Sequence, residues 1–327
     1  MKTAIRLEGY YPFNADIIDQ VSNAMESQAR FGTYENFLDA VGANNPKPYS
    51  LDGYSQRQIL DIRPRHEDPD NVVVMHLPMA NPLDTNQQYQ LATLAYAMPN
   101  SRIIAMGHPS GGEFVDGGLT FKQRCAVAHG NFKPVIDPLV SYLDKEQIET
   151  VINIGGSYGA ELAASLAGNG THETTNTVYI EPASIKKRNV LRLGLDFKSS
   201  EPPMAAYVAA NELQTFIDAR KAGIRGNDYI KGLIRPTNIA ASRGLGQGKF
   251  EEHAVKALKS QHGMQTTFAW GTKSELATDD IVSTIADAYT VLAGVEHVRR
   301  IRMQGQTHAL GNDLALTSVI VLQSLKQ

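Results

Sequence analysis

The sequence holds one cysteine, Cys125, in 327 residues, so no disulfide can close within a single chain and a disulfide-framework fold is excluded. Long apolar runs are also lacking. Even the longest, such as Leu314 to Leu325, is interrupted by polar residues and falls short of the roughly 20 residues that cross a bilayer. Neither sign of charge dominates: the formal net charge is −3 with 20% charged residues, which leaves no electrostatic footprint for nucleic acid or an anionic membrane. The amino terminus, MKTAIRLEGYYPFNADIID, acquires acidic and polar residues before an apolar signal core can form, which predicts a cytoplasmic protein. No His-x-x-x-His pair, cysteine cluster, G-x-G-x-x-G or G-K-[ST] occurs, so no metal or nucleotide cofactor is expected.

What is present is an ordinary globular composition, 42% hydrophobic, in a chain long enough for one enlarged domain or a core with a smaller insertion. Residues 1–70 read as an amino-terminal extension, helical from Ala15 to Ala29, leading into the first strand of the core at ILDIRP. From Asn71 the pattern becomes regular. Short apolar or β-branched runs (VVVMHL, SRIIAMG, TVINIGG, TVYIEP) alternate with helical segments (QQYQLATLAYAM, VIDPLVSYLD, ELAASLAG). That alternation predicts an α/β fold, a mostly parallel sheet with crossover helices on both faces. It stops after Pro182 and resumes at TTFAWG, so 71–182 and 262–327 are expected to form the core and 183–261 an inserted helical cap.

The most informative residues are Ile152-Asn-Ile-Gly-Gly-Ser157-Tyr-Gly-Ala160, a buried-type strand that runs into a helix through a G-x-S-x-G turn. Such a turn strains the serine backbone so that its hydroxyl projects above the sheet, and it demands small residues where strand and helix nearly touch. Gly155 and Gly159 meet that demand. A serine hydroxyl is a poor nucleophile near neutral pH, so a base must stand beside it, and histidine titrates in the right range. Nine histidines are available. His308 follows the last strand in a Gly-Gln-Thr-His loop; His76 ends an earlier strand and His108 lies in the loop after the next, where both are expected to line the substrate pocket.

Taken in order, VVVMHLP, RIIAMGHPSGGEF, NIGGSYGAE, TTFAWGTKSE and MQGQTHAL resemble the α/β-hydrolase superfamily from about Asn71 to the end of the chain. The resemblance implies an α/β-hydrolase fold with Ser157 as nucleophile in its elbow and His308 as base. Related proteins commonly place an aspartate where this chain has Ser274, and Glu275 follows one residue later, so Glu275 is the expected acid, with Asp279, Asp280 and Glu181 as alternatives. One oxyanion donor is expected at the Tyr158 N–H. The second must come from Met79, or from Leu77, because Pro78 between them has no N–H.

These expectations describe a serine hydrolase that acts on a small-molecule carboxylic ester or thioester through an acyl-enzyme and needs no cofactor. An amide substrate, a peptide or an acyl acceptor other than water would use the same residues. A non-catalytic binding module on the same scaffold is the contrasting class, since fold does not fix function. Oligomeric state stays open at this level.

Overall fold

A computed structural model describes residues 13–43, 45–64, 69–79, 83, 85–109, 118–196, 235–308 and 314–325. Its centre is one sheet of eight strands: β1 (Lys47–Tyr49), β2 (Arg57–Ile62), β3 (Asn71–His76), β4 (Ser101–Met106), β5 (Thr150–Gly156), β6 (Glu173–Ile180), β7 (Gln265–Gly271) and β8 (Val298–Met303). They lie in the order β1-β2-β4-β3-β5-β6-β7-β8. Pairing is parallel from β4 across to β8, whereas β2 is antiparallel to both β1 and β4.

The burial pattern of the central strands explains why helices cover both faces. Along β6, Val178 and Ile180 enter one core cluster while Tyr179 between them enters another. The same period-two division separates Val73 and Met75 from Val74 in β3, and Ala269 from Phe268 and Trp270 in β7. One face packs on α1 (Ala15–Gln28), α2 (Tyr34–Val41), α3 (Thr85–Ala97) and α10 (Leu314–Leu325). The other packs on α5 (Lys133–Lys145), α6 (Tyr158–Ala167), α8 (Phe250–Ser260) and α9 (Asp279–Ala293). Two shorter helices, α4 (Phe121–Ala128) and α7 (Pro236–Leu245), pack on each other beside the second face.

Three differences from the expected organisation have physical causes. The amino-terminal segment joins the core: Ile17, Val21 and Ala24 recur along one face of α1 and are buried against α3 and α10. A further strand, β1, precedes the strand at ILDIRP; Pro48 is tolerated in it because β1 is an edge strand. Of the expected cap 183–261, residues 197–234 fall outside the described residues. Its last helix, α8, belongs to the core layer instead, because Phe250 and Ala254 are fully buried against the sheet and α6.

Strand order also locates the site. The chain leaves β3 for β4 on one side and returns to β5 on the other, so the crossovers on either side of β3 diverge and open a crevice at the carboxyl ends of β3 and β5. Ser157 follows β5 directly.

Candidate active site

Ser157 has φ 56° and ψ −116°, a conformation that L-residues seldom occupy, and it forms the N-cap of α6. Two close approaches hold it there. A Cβ on Gly155 would meet the carbonyl oxygen of Gly159 at 2.1 Å, and a Cβ on Gly159 would meet that of His76 at 2.1 Å. Strand β5, helix α6 and the end of β3 therefore touch backbone to backbone, which only glycine at these two positions permits. Gly156 is different: a Cβ there meets nothing nearer than 3.9 Å.

Register then places a carboxylate. Gly156 pairs with Ile180, and the Ser157 N–H donates to the Ile180 carbonyl at 2.8 Å, so the residue after β6 stands beside the serine. That residue is Glu181, fully buried, with φ 51°. One of its oxygens, Oε1, accepts from the Gly271 N–H, while Oε2 lies 3.2 Å from Nδ1 of His308. The other ring nitrogen of His308, Nε2, is 2.8 Å from Ser157 Oγ. Serine, imidazole and carboxylate thus form one continuous chain. Burial raises the Glu181 pKa above the ordinary carboxylate value, against the lowering effects of His308, the Ser274 hydroxyl and the Gly271 N–H.

The loop carrying His308 is tied to the end of β7. Thr272 N–H donates to Met303, Lys273 N–H donates to the Gln306 carbonyl at 2.8 Å, and Gly305 N–H donates to Thr272 Oγ1 at 2.8 Å. Gly271 allows the approach, since a Cβ there would meet the Gln306 carbonyl oxygen at 2.3 Å. On the far side of the same turn, the Arg188 guanidinium donates to the carbonyls of Glu275 and Leu276.

The carboxylate expected to serve His308 is therefore in a different place. Glu275 is exposed, and Arg188 binds its carbonyl rather than its side chain. Asp279 is engaged by Arg302 and by the Trp270 indole N–H, and Asp280 is exposed on the first turn of α9. Of the four carboxylates considered, Glu181 alone borders the imidazole. Ser274, at the position where the resemblance implies an aspartate, is buried and contributes a hydrogen bond to Glu181. The carboxylate that borders the imidazole thus stands at the end of β6, not after β7. A glutamate directly after the apolar run TVYI, in TVYIEP, is the signal in the sequence, because so costly a burial needs partners.

His76 and His108 are both buried and border the same small cavity, together with Arg57, Met106, Val135 and Leu139. Neither Ser157 nor His308 is in its wall. His76 Nε2 bonds Asn153 Oδ1 at 3.3 Å within the sheet. Burial lowers His76 to about 4; burial and then the Arg57 charge lower His108 to about 3. Tyr158 opens α6, and a helix start leaves its N–H without an intrahelical acceptor. The Leu77 side chain is buried in the core under the sheet, and Met79 is half-buried, its sulfur accepting from the Ser242 hydroxyl at 3.5 Å. Among the described residues no three His, Cys, Asp or Glu side chains converge as metal ligands, and no helix is long and apolar enough to cross a membrane.

No family model matches the chain, and no curated protein matches it. Solved structures do. The enol-lactonase from Burkholderia xenovorans LB400 superposes with a TM-score of 0.57 at 12% identity, over 86% of this chain and 100% of that one. The thioesterase domain from the curacin biosynthetic pathway gives 0.55 at 20% identity, over 85% and 99%. A haloalkane dehalogenase variant from Bradyrhizobium elkanii gives 0.56 at 14%, over 86% and 95%. The chain has the α/β-hydrolase fold.

Two outcomes follow from the site's construction. Replacing Ser157 by glycine relieves the strained backbone, so Ser157→Gly raises the unfolding free energy by about 1 kcal/mol in urea denaturation; an unchanged or lower value means the turn stores no strain. His76 and His108 bind protons less readily when folded than the ordinary 6.5, so the stability they contribute is complete above that pH and is lost as pH falls toward about 4 and about 3. His76→Gln keeps a donor for Asn153 while removing one of these sites. Between pH 6.5 and 4.5 its stability therefore falls less steeply than that of the parent, by up to about 1.4 kcal/mol per pH unit.

Proposed function

We propose that this chain is a serine hydrolase that cleaves a carboxylic ester or thioester through an acyl-enzyme intermediate. The observation that carries the proposal is the 2.8 Å contact between Ser157 Oγ and His308 Nε2, with Glu181 at the other ring nitrogen. Ser157 attacks the acyl carbon and passes its proton to Nε2. Glu181 orients the ring through Nδ1–H and stabilises the imidazolium. The N–H groups of Tyr158 and Met79 take up the charge that develops on the acyl oxygen. Nε2 then protonates the departing alcohol or thiol, and a water molecule repeats the sequence to release the carboxylic acid.

The strained turn supports this use of Ser157, since strain of that kind persists where a fold over-determines it. The neighbours named as an enol-lactonase and a thioesterase agree with an acyl substrate. Glu181 takes the place of Glu275 in the proposal because a carboxylate must touch the imidazole to hold its tautomer.

A fluorophosphonate probe labels the protein on Ser157, and Ser157→Ala abolishes the labelling. With a short-chain aryl ester, Glu181→Gln lowers kcat by on the order of 10³–10⁴, whereas Glu275→Gln leaves it within about twofold. Ser274→Asp, added to Glu181→Gln, restores part of the lost rate by returning a carboxylate to the neighbouring strand end. Absence of labelling together with absence of turnover assigns the scaffold to ligand binding instead.

A further inference from the structure

Arg57 opens β2 and is buried, 3% exposed. Its position follows from a proline. Pro138 lies inside α5 and has no N–H, so the carbonyl of Pro134, four residues earlier, loses its helical donor. Arg57 Nη2 donates to that carbonyl at 3.2 Å, and Nη1 donates to the Val135 carbonyl at 2.6 Å. Both acceptors are neutral. Among the described residues no carboxylate forms a salt bridge with the guanidinium, and its Nε finds no acceptor. Burial pulls its pKa down to about 10, which leaves it a cation at neutral pH.

A buried cation whose direct hydrogen bonds go only to neutral carbonyls, with the Asp137 carboxylate acting on it through space, keeps much of its desolvation cost. Beside it lies the cavity between the ends of β3 and β4 and helices α5 and α6, whose wall includes Arg57, His76, Gly107 and His108. Its interior has room for about one water-sized particle. The Tyr158 ring stands edge-on to His108 at 5.3 Å, and its buried hydroxyl also lacks a partner among the described residues. The Arg57 charge, its unused Nε–H and the cavity therefore coincide at one place, with the Tyr158 hydroxyl nearby, and neither Ser157 nor His308 is in its wall.

We propose that this cavity binds one small monovalent anion of halide size, with Arg57 as its counter-charge. Chloride is the natural probe. A bound ion would offset the guanidinium charge and fix α5 to β2 behind the end of β3, whose residue His76 also abuts the serine turn through Gly159. Larger anions are excluded by the size of the cavity.

The test compares thermal unfolding of the full chain in sodium chloride and in sodium gluconate at equal ionic strength. Tm rises with the logarithm of chloride concentration by on the order of 2–4 °C across a hundredfold range and stays flat in gluconate, as ligand linkage requires. Arg57→Gln, which keeps donors for the two carbonyls but has no charge, loses the chloride response. Should that variant fail to fold, bromide soaked into crystals of the parent protein decides by anomalous scattering, with a peak expected within hydrogen-bond distance of the Arg57 guanidinium. Equal Tm in the two salts, a chloride response that survives in Arg57→Gln, or the absence of bromide from the cavity overturns the proposal and leaves a water molecule there.

Discussion

The pairing of Gly156 with Ile180 is the constraint on which the site depends. One step beyond that pair on each strand stand Ser157 and Glu181, both with positive φ, each bent away from the sheet at its carboxyl edge. Neither bend would persist alone. Ser157 is held by its N–H bond to Ile180 and by glycine contacts on both sides of the turn; Glu181 is held by its own N–H bond to Ala269 and by the Gly271 N–H at its carboxylate. A slip of one residue in β5 against β6 would turn both side chains to other directions. The two large core clusters on either face, which share the alternating residues of β6 and β7, are what prevents that slip.

From that constraint the electrostatics follow. A glutamate enclosed this completely pays heavily for its charge, and three donors from two segments meet it: His308 after β8, and Ser274 and the Gly271 N–H from the turn that ends β7. The hydrogen bonds that tie the His308 loop to the β7 turn keep those donors in register with one another. Arg188 serves the same turn from outside by holding two of its carbonyls. Thus the imidazole is fixed through its neighbours as much as through its own contacts, an arrangement in which the supporting shell sets the geometry of the site.

Much of this was legible in the sequence, and the remainder was not for identifiable reasons. Periodicity exposed the α/β alternation because residues such as Val178, Tyr179 and Ile180 are buried on both faces, which leaves a continuous apolar run. The G-x-S-x-G turn was legible because its steric demands are local. The acid was not. Which carboxylate meets His308 depends on strand order and register, so that Glu181, distant in sequence and only a candidate beside Glu275, is adjacent in space. The Arg57 cation was hidden for a like reason: its acceptors are the Val135 carbonyl and the Pro134 carbonyl that Pro138, in another element, leaves without a helical donor. Helix α8 was assigned to an insertion because alternation paused before it, and its burial against α6 is a matter of tertiary packing.

In the proposed function Glu181 holds the Nδ1 proton of His308 while Nε2 faces Ser157. Proton NMR in water reads that bond directly, since an imidazole N–H shared with a carboxylate resonates far downfield of the amide envelope. Such a signal is expected in the parent protein, to be retained in Glu275→Gln and lost in Glu181→Gln. A downfield signal that persists without the Glu181 carboxylate, or that vanishes with Glu275→Gln, would contradict the account.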